Sequence, residues 1–435
     1  MQPDHQSTDP ANDPTTDPST DLSTDPSTDP STAPVRVARI ITRLNIGGPA
    51  IQAIDLTARL ESAGYHTLLI HGRLGQGEGD MGYLVPRDRS FEVEYVPALR
   101  RELAPVADAR ALARIYRLLC RFRPAIIHTH MAKAGSLGRT AAVMYNVTEG
   151  RRAAARIVHT YHGHVLDGYF GNWTARAFSG AERLLGRRSD ALLAVSSIVR
   201  GDLLDTHGIG TPDRFRVVPL GFDLRALAVV GPVQRAAARQ AFNLDSDAHV
   251  VALVGRLTAI KQPELFLAAA ARIMKADARA RFLIAGGGEL EATLRTKAAE
   301  LGVSDRVRFL GWQRDVAPIY AASDLVAITS RNEGTPVALI EGMAAGVPGV
   351  CFAVGGVPDV ITTPEVGVLV PPGDVEALVA GMCRLLNDDA ARAAMGARAR
   401  VRVLEHFAVD RLLRDIKALY RDLLTTSAPA AKRLG

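Results

Sequence analysis

The chain has 435 residues, 47% hydrophobic but only 5% aromatic, with a formal net charge of +6. This is long enough for two domains with full cores, and a composition rich in Ala, Val and Leu points to an α/β protein. No apolar run reaches the roughly eighteen residues of a membrane span. The polar, acidic amino terminus shows no secretory signal, and Cys120, Cys351 and Cys383 lack metal-like spacing, so a reduced cytoplasmic protein is expected.

The charge is uneven along the chain. Residues 1–34 contain seven Asp and no Lys or Arg, whereas residues 35–220 hold 26 Lys or Arg against 16 Asp or Glu, a net +10. A positive front half suits an anionic partner such as bilayer headgroups or a lipid-linked diphosphate; an Arg-rich composition alone accounts for it equally well.

Residues 7–34 repeat a four-residue unit of the STDP type. Proline at nearly every fourth position forbids a helix and nothing apolar recurs to build a core, so a disordered tail is expected over 1–34. Folded sequence opens with a strand over Val37–Thr42, a loop bearing Gly47, Gly48 and Pro49, a helix from about Ala50, and a second strand over His66–Ile70. That β–α–β order begins a parallel sheet, and the paired glycines let backbone amides approach an anion, although a tight turn explains them as well. Two further strands, Pro124–Met131 and Arg156–His164, end in histidines, which places His128, His130, His162 and His164 near carboxyl ends, where α/β sites are built. The first domain is expected to span 35–223, a linker 224–247, a second doubly wound domain with the terminal helices 248–423, and a tail 424–435.

The second domain restarts with a strand over Val250–Val254, followed by a turn carrying Arg256 and Lys261. Further on, SDLVAIT (Ser323–Thr329) reads as a buried strand leading into SRNEGTPVALIEGMAAGVP (Ser330–Pro348). Thr335 as N-cap and Pro336 as first helical residue predict a helix to about Ala345, ended by Gly346 and Pro348. Its N–H groups would point into the crevice at the carboxyl end of the sheet, where phosphates and sugar hydroxyls are held. Glu333 and Glu341 bracket this helix end, Glu341 roughly 7.5 Å along the helix from Pro336. Each carboxylate can accept from two neighbouring hydroxyls, so the pair suits a long ligand with a diol towards each end, such as a nucleotide-sugar. Two cations and a helix end would neutralise its diphosphate without a metal, and would stabilise that diphosphate as a leaving group.

These pieces together resemble family-4 retaining glycosyltransferases of the GT-B fold. The shared segments are the GGP loop, HTYHGH, AVS, VVPLGFD, VGRLTAIK, IAGGGEL, E-x(7)-E and the downstream GGVPDVI, spread from Arg36 to about Leu423. The resemblance implies two Rossmann-like domains facing across a cleft. It implies that Arg256 and Lys261 hold the donor diphosphate, that Glu341 takes the ribose hydroxyls, and that Glu333 with the amides of Gly334, Thr335, Pro336 and Val337 takes the transferred sugar. Gly47 and Gly48 would close from the first domain, and His162 would stand beside the sugar. The base would be held by backbone near Gly311 to Arg314. His162, Arg256, Lys261 and Glu333 are then the expected catalytic residues.

Thr335 and Val337 depart from the aromatic residue and leucine common in the family, which bears on sugar preference. HTHMAKAGSLGR (His128–Arg139) is shared with some bacterial polysaccharide members, which puts His130 and Lys133 on the acceptor side. The implied partners are a nucleoside-diphosphate-sugar, a UDP-sugar being favoured, and a lipid-linked or saccharide acceptor, with an anionic membrane surface possible and no nucleic acid. No cofactor is expected. Asp245 and Asp247 match the D-x-D of metal-dependent transferases, but they precede Val250–Val254 and fall at the wrong end of that strand, so no metal is expected. A non-catalytic binding protein of the same fold and a sugar-nucleotide epimerase are the alternatives. A Rossmann oxidoreductase is disfavoured because no G-x-G-x-x-G with a later acidic residue follows a strand.

Overall fold

A computed structural model of the chain describes residues 33–75, 78–149, 154–163 and 172–426. The STDP repeat, His164 and the last nine residues lie outside the described residues.

Among the described residues, thirteen strands form two parallel sheets. The first has seven: β1 (Arg36–Arg43), β2 (His66–Gly72), β3 (Glu92–Val96), β4 (Ile126–His130), β5 (Arg156–Tyr161), β6 (Ala191–Ala194) and β7 (Phe215–Val217), in the order 3-2-1-4-5-6-7. The second has six: β8 (His249–Val254), β9 (Ala280–Ala285), β10 (Val307–Gly311), β11 (Leu325–Ile328), β12 (Gly349–Phe352) and β13 (Gly367–Val370), in the order 10-9-8-11-12-13. The strands read as near-continuous apolar runs because helices cover both faces of each sheet. In β1, Ala38 and Ile40 pack with the helices Pro105–Phe122 and Ala132–Thr148, while Val37 and Ile41 face the helix Gly48–Ser62. The chain is thus a pair of doubly wound α/β domains.

Three expectations about boundaries change. The segment 224–247 holds the helix Pro232–Ala241 and is packed rather than free: Leu224, Leu227, Val230 and Ala238 are buried in an apolar cluster that draws on both lobes, and Arg239 pairs with the buried Asp324 at 2.8 Å. The final helix, Val409–Thr425, does not stay with the second lobe. Its Leu412, Ile416 and Tyr420 are fully buried against Val37, Leu56, Leu60 and Ile126 of the first. Ala408 is extended, and the chain crosses back where Phe222 N–H donates to Phe407 O and Val409 N–H to Phe222 O, both at 2.9 Å. A strongly amphipathic helix can bury its stripe wherever the chain delivers it, and the crossing point at Phe222 delivers it to the first sheet. The helix after β11 runs Val337–Ala344 with Pro336 as its N-cap, so Thr335 precedes the cap and its hydroxyl caps nothing. Gly346, at φ 80°, ends it as expected.

Candidate functional site

Each sheet reverses its winding at one point, between β1 and β4 in the first and between β8 and β11 in the second. Loops leaving the carboxyl ends there diverge and open a crevice, the usual ligand position in such sheets. The loop after β1 carries Asn45, Gly47 and Gly48, and that after β8 carries Arg256 and Lys261. Ser330 to Val337 follow β11. The sequence-marked residues therefore gather at the two switch points.

Local bonds join the two loops of the second lobe. Thr329 Oγ1 donates to the Lys261 carbonyl at 3.0 Å, and Arg331 N–H to the Ile260 carbonyl at 2.8 Å. Lys261 Nζ lies 2.6 Å from Glu333 Oε1, which also accepts from Ser330 Oγ at 2.5 Å. Glu333 is buried, and Gly356 N–H secures its carbonyl at 2.9 Å. Behind the Arg256 turn lies Gly286, at φ 136°. A Cβ there would fall 1.8 Å from the Gly255 carbonyl oxygen, so only glycine allows this approach. Arg256 itself is exposed and makes no ion pair among the described residues.

The amide donors are fewer than expected. Pro336 has no N–H, and Val337 N–H turns back onto the Thr335 carbonyl at 3.0 Å, leaving those of Gly334, Thr335 and Ala338 for a ligand. One helical turn in, Glu341 Oε2 accepts from Tyr320 Oη at 2.8 Å. Burial pushes the Glu341 carboxyl up to about 7, against the lowering effect of the tyrosine hydrogen bond.

The first lobe reaches the same place. A Cβ on Gly48 would lie 3.2 Å from Val337 Cγ2, and the His162 carbonyl abuts Gly334. Tyr83 meets Trp312 edge to face, ring centroids 6.1 Å apart, with the Arg314 guanidinium 5.0 Å from the Tyr83 ring. These contacts flank Gly311 to Arg314, the segment expected near a base. His162 Nε2 lies 3.0 Å from His130 Nδ1, and burial together with the Arg39 cation pushes the His162 imidazole down to about 3, so the ring is neutral at pH 7.

One acceptor-side expectation is corrected. His130 is fully buried between Arg39 and His162, so it cannot touch an acceptor. Lys133 lies in the first turn of the helix after β4, where its Nζ pairs with Asp108 at 2.5 Å. Asp245 and Asp247 stand in the turn before β8, at the amino end of the sheet and away from the crevice. A cavity of ≈ 550 Å³ at that far end is lined in part by Arg235, Arg239, Asp247 and Asp324, and holds none of the expected donor-binding or acceptor-side residues.

Sequence reasoning missed Asn45 and Thr258. Of the thirteen buried side-chain polar atoms without hydrogen-bond partners among the described residues, Asn45 Oδ1, His162 Nδ1, Thr258 Oγ1 and Thr335 Oγ1 lie on carboxyl-end loops. These four would find partners in a polyhydroxylated or phosphorylated ligand. Ser330 and Tyr320, which hold the two glutamates, were equally unmarked; a hydroxyl three residues before Glu333 was the available signal for Ser330.

Residues 46–226 match the family model described as Glycosyltransferase Family 4, and residues 234–402 that described as Glycosyl transferases group 1. A D-inositol 3-phosphate glycosyltransferase of Salinispora arenicola is 31% identical over 330 residues, 71% of this chain and 71% of that protein. The UDP-Gal:alpha-D-GlcNAc-diphosphoundecaprenol alpha-1,3-galactosyltransferase of Escherichia coli is 26% identical over 343 residues, 78% of this chain and 85% of that protein. Among solved structures, Anabaena Alr3699/HepE in complex with UDP-glucose superposes with a TM-score of 0.74 at 20% identity, covering 89% of this chain and 99% of the other.

Proposed function

The chain belongs to the group 1 and family 4 glycosyltransferases, and from that premise we propose that it is a retaining, metal-independent enzyme of cell-surface glycan synthesis. It would move a sugar from a nucleoside-diphosphate-sugar, preferably a UDP-sugar, to a lipid-linked or saccharide acceptor. The observation that carries this reading is the joining of Lys261, Glu333, Gly334 and His162 in one crevice, with unsatisfied polar atoms around it.

In this reading Arg256 and Lys261 hold the diphosphate. An ammonium has three donors, and Lys261 uses one on Glu333, so it can bridge that carboxylate and a phosphate oxygen. Both cations then face the charge that grows on the leaving diphosphate, where fixed donors accelerate most. Glu341 takes the ribose hydroxyls. Glu333, with the N–H groups of Gly334 and Thr335, takes hydroxyls of the transferred sugar, beside His162. Gly47 and Gly48 close from the first lobe.

The Escherichia coli relative's name specifies a UDP-sugar and a diphosphoundecaprenol acceptor, which supports a UDP-sugar and a lipid-linked acceptor here. Such an acceptor would bring the enzyme to an anionic membrane surface. The exposed Leu184 beside exposed Arg183, Arg187 and Arg188 on the helix Asn172–Arg188 suits that contact.

The test is a donor screen read by mass spectrometry on lipid and polysaccharide extracts incubated with the purified protein. A product of one added hexose, its anomeric configuration matching the donor's by NMR, is expected. Nucleotide release that needs no acceptor, or an epimerised donor, would overturn the transferase reading, and an inverted product would overturn retention alone.

A further inference from the structure

We propose that Arg39 is a positioning residue of the transfer site, setting through His130 which ring nitrogen of His162 carries the proton. The proposal rests on the reading that His162 faces the transferred sugar.

The chain of contacts begins with register. β1 and β4 pair in parallel with Arg39 opposite His128 and Ile41 opposite His130. Alternation along the strands puts Arg39, His128 and His130 on one face, the two imidazoles stacked with centroids 4.5 Å apart. Arg39 is 1% exposed, and Nη1 lies 2.9 Å from His130 Nε2 and 3.3 Å from His128 Nδ1. Nη2 donates to Tyr420 Oη at 3.3 Å. Among the described residues no carboxylate pairs with this guanidinium.

A guanidinium only donates. His130 Nε2 must therefore accept, and a neutral His130 must carry its proton on Nδ1. That nitrogen is the one 3.0 Å from His162 Nε2, so it donates and His162 Nε2 accepts. The proton of a neutral His162 is left on Nδ1, the buried atom without a partner. His162 thus meets a bound ligand as a hydrogen-bond donor, and its Nε2 lone pair, already occupied, is not available as a base.

The surroundings keep the relay neutral. Burial and the Arg39 charge hold the His128 and His130 imidazoles well below their ordinary range. Across the sheet are His159 and the Arg139–Glu182 pair, whose carboxylate is fully engaged at 2.6 Å. From the terminal helix comes Tyr420, next to Tyr65. The helix Gly48–Ser62 brings Asp55, whose charged neighbours are Arg59 and Asp223 rather than Arg39. An uncompensated buried cation is expensive, and apolar side chains would hold this face together as well. Control of the histidine protons is what the cation adds.

Long-range ¹H–¹⁵N correlation on the full chain, with ¹⁵N-histidine, tests this. Wild type should show His130 and His162 both protonated on Nδ1, unchanged between pH 5 and 8. In Arg39→Met, His162 should shift towards Nε2 protonation. With UDP-glucose as probe, kcat should fall about a hundredfold, as small misplacements in a site do, with KM less affected. The acid limb of the pH–rate profile should move to higher pH than in wild type while staying below the ordinary imidazole value of about 6.5, because burial still opposes protonation of the ring. Arg39→Lys, which keeps a charge and a donor, should restore part of the Nδ1 signal. Wild-type His162 protonated on Nε2 would overturn the proposal, as would an Arg39→Met protein with unaltered ring signals and pH profile. If Arg39→Met does not fold, the wild-type spectrum decides alone. The ring signals do not depend on turnover, so a wild-type protein inert towards every nucleotide-sugar would count against the transferase reading, with the relay judged separately.

Discussion

Gly334 lies so close to His162 that a methyl group on its α-carbon would sit 2.3 Å from the His162 carbonyl oxygen. This is where the loop after β11 in the second lobe meets the end of β5 in the first, backbone against backbone. Gly334→Ala is expected to push the loop away and lower kcat/KM about a hundredfold. The change in melting temperature should be small, because the contact lies outside both cores. Unaltered kinetics would show that the close approach is dispensable.

Arg256 and Lys261 should separate by their effect on the fold. Either alanine variant should cut turnover about a hundredfold, since removing one such donor is worth roughly 3 kcal/mol of barrier. Arg256 is exposed and makes no ion pair among the described residues, so its loss should leave thermal stability untouched. Lys261 pairs with a buried carboxylate, and Lys261→Ala should lower the melting temperature as well. Stability and turnover measured on both variants check this; two fully active enzymes would refute the assignment.

Glu341 predicts a proton released on binding. Its carboxyl titrates near 7 in the free protein, and a ribose diol donating to it favours the ionised form. Affinity for UDP should therefore fall as pH drops through about 7. Calorimetry at pH 6 should show an enthalpy that varies with the ionisation enthalpy of the buffer. Tyr320→Phe removes a hydrogen bond that holds the value down, so the dependence should move to higher pH. A buffer-independent enthalpy at pH 6 would rule out Glu341 as the ribose ligand.

Metal removal should leave the reaction running. Asp245 and Asp247 stand at the amino end of β8 and Arg256 and Lys261 in the loop after its carboxyl end, where on the proposed reading they would meet the diphosphate in place of a divalent ion. Activity should survive EDTA, and the double substitution Asp245→Ala, Asp247→Ala should be near neutral in a steady-state assay. Loss of turnover that Mn²⁺ or Mg²⁺ restores would contradict this.

Membrane attachment should be electrostatic and reversible. Lys and Arg near an anionic leaflet contribute about 1 kcal/mol each, so Arg183, Arg187 and Arg188 with their neighbours suffice for partial binding. The protein should sediment with anionic vesicles at low salt, not with neutral ones, and should detach as salt rises. Absence from anionic vesicles at low salt would remove the membrane proposal and leave the transferase reading standing.

Much of this molecule was legible in the sequence because it is encoded locally. Apolar runs the length of a strand, the spacing of Arg256 from Lys261 and of Glu333 from Glu341, and the glycines at turns depend on residues close along the chain. Parallel pairing then carries such segments to the switch points. The acceptor-side reading of His130 failed, and the return of the final helix went unseen, because both depend on distant partners. Arg39 reaches His130 across 91 positions and Tyr420 across 381, contacts set by the register of β1 on β4 and by the crossing at Phe222. A buried guanidinium meeting imidazoles leaves no periodic trace, since any residue on that face can be the partner. Only the packed structure decides which one is.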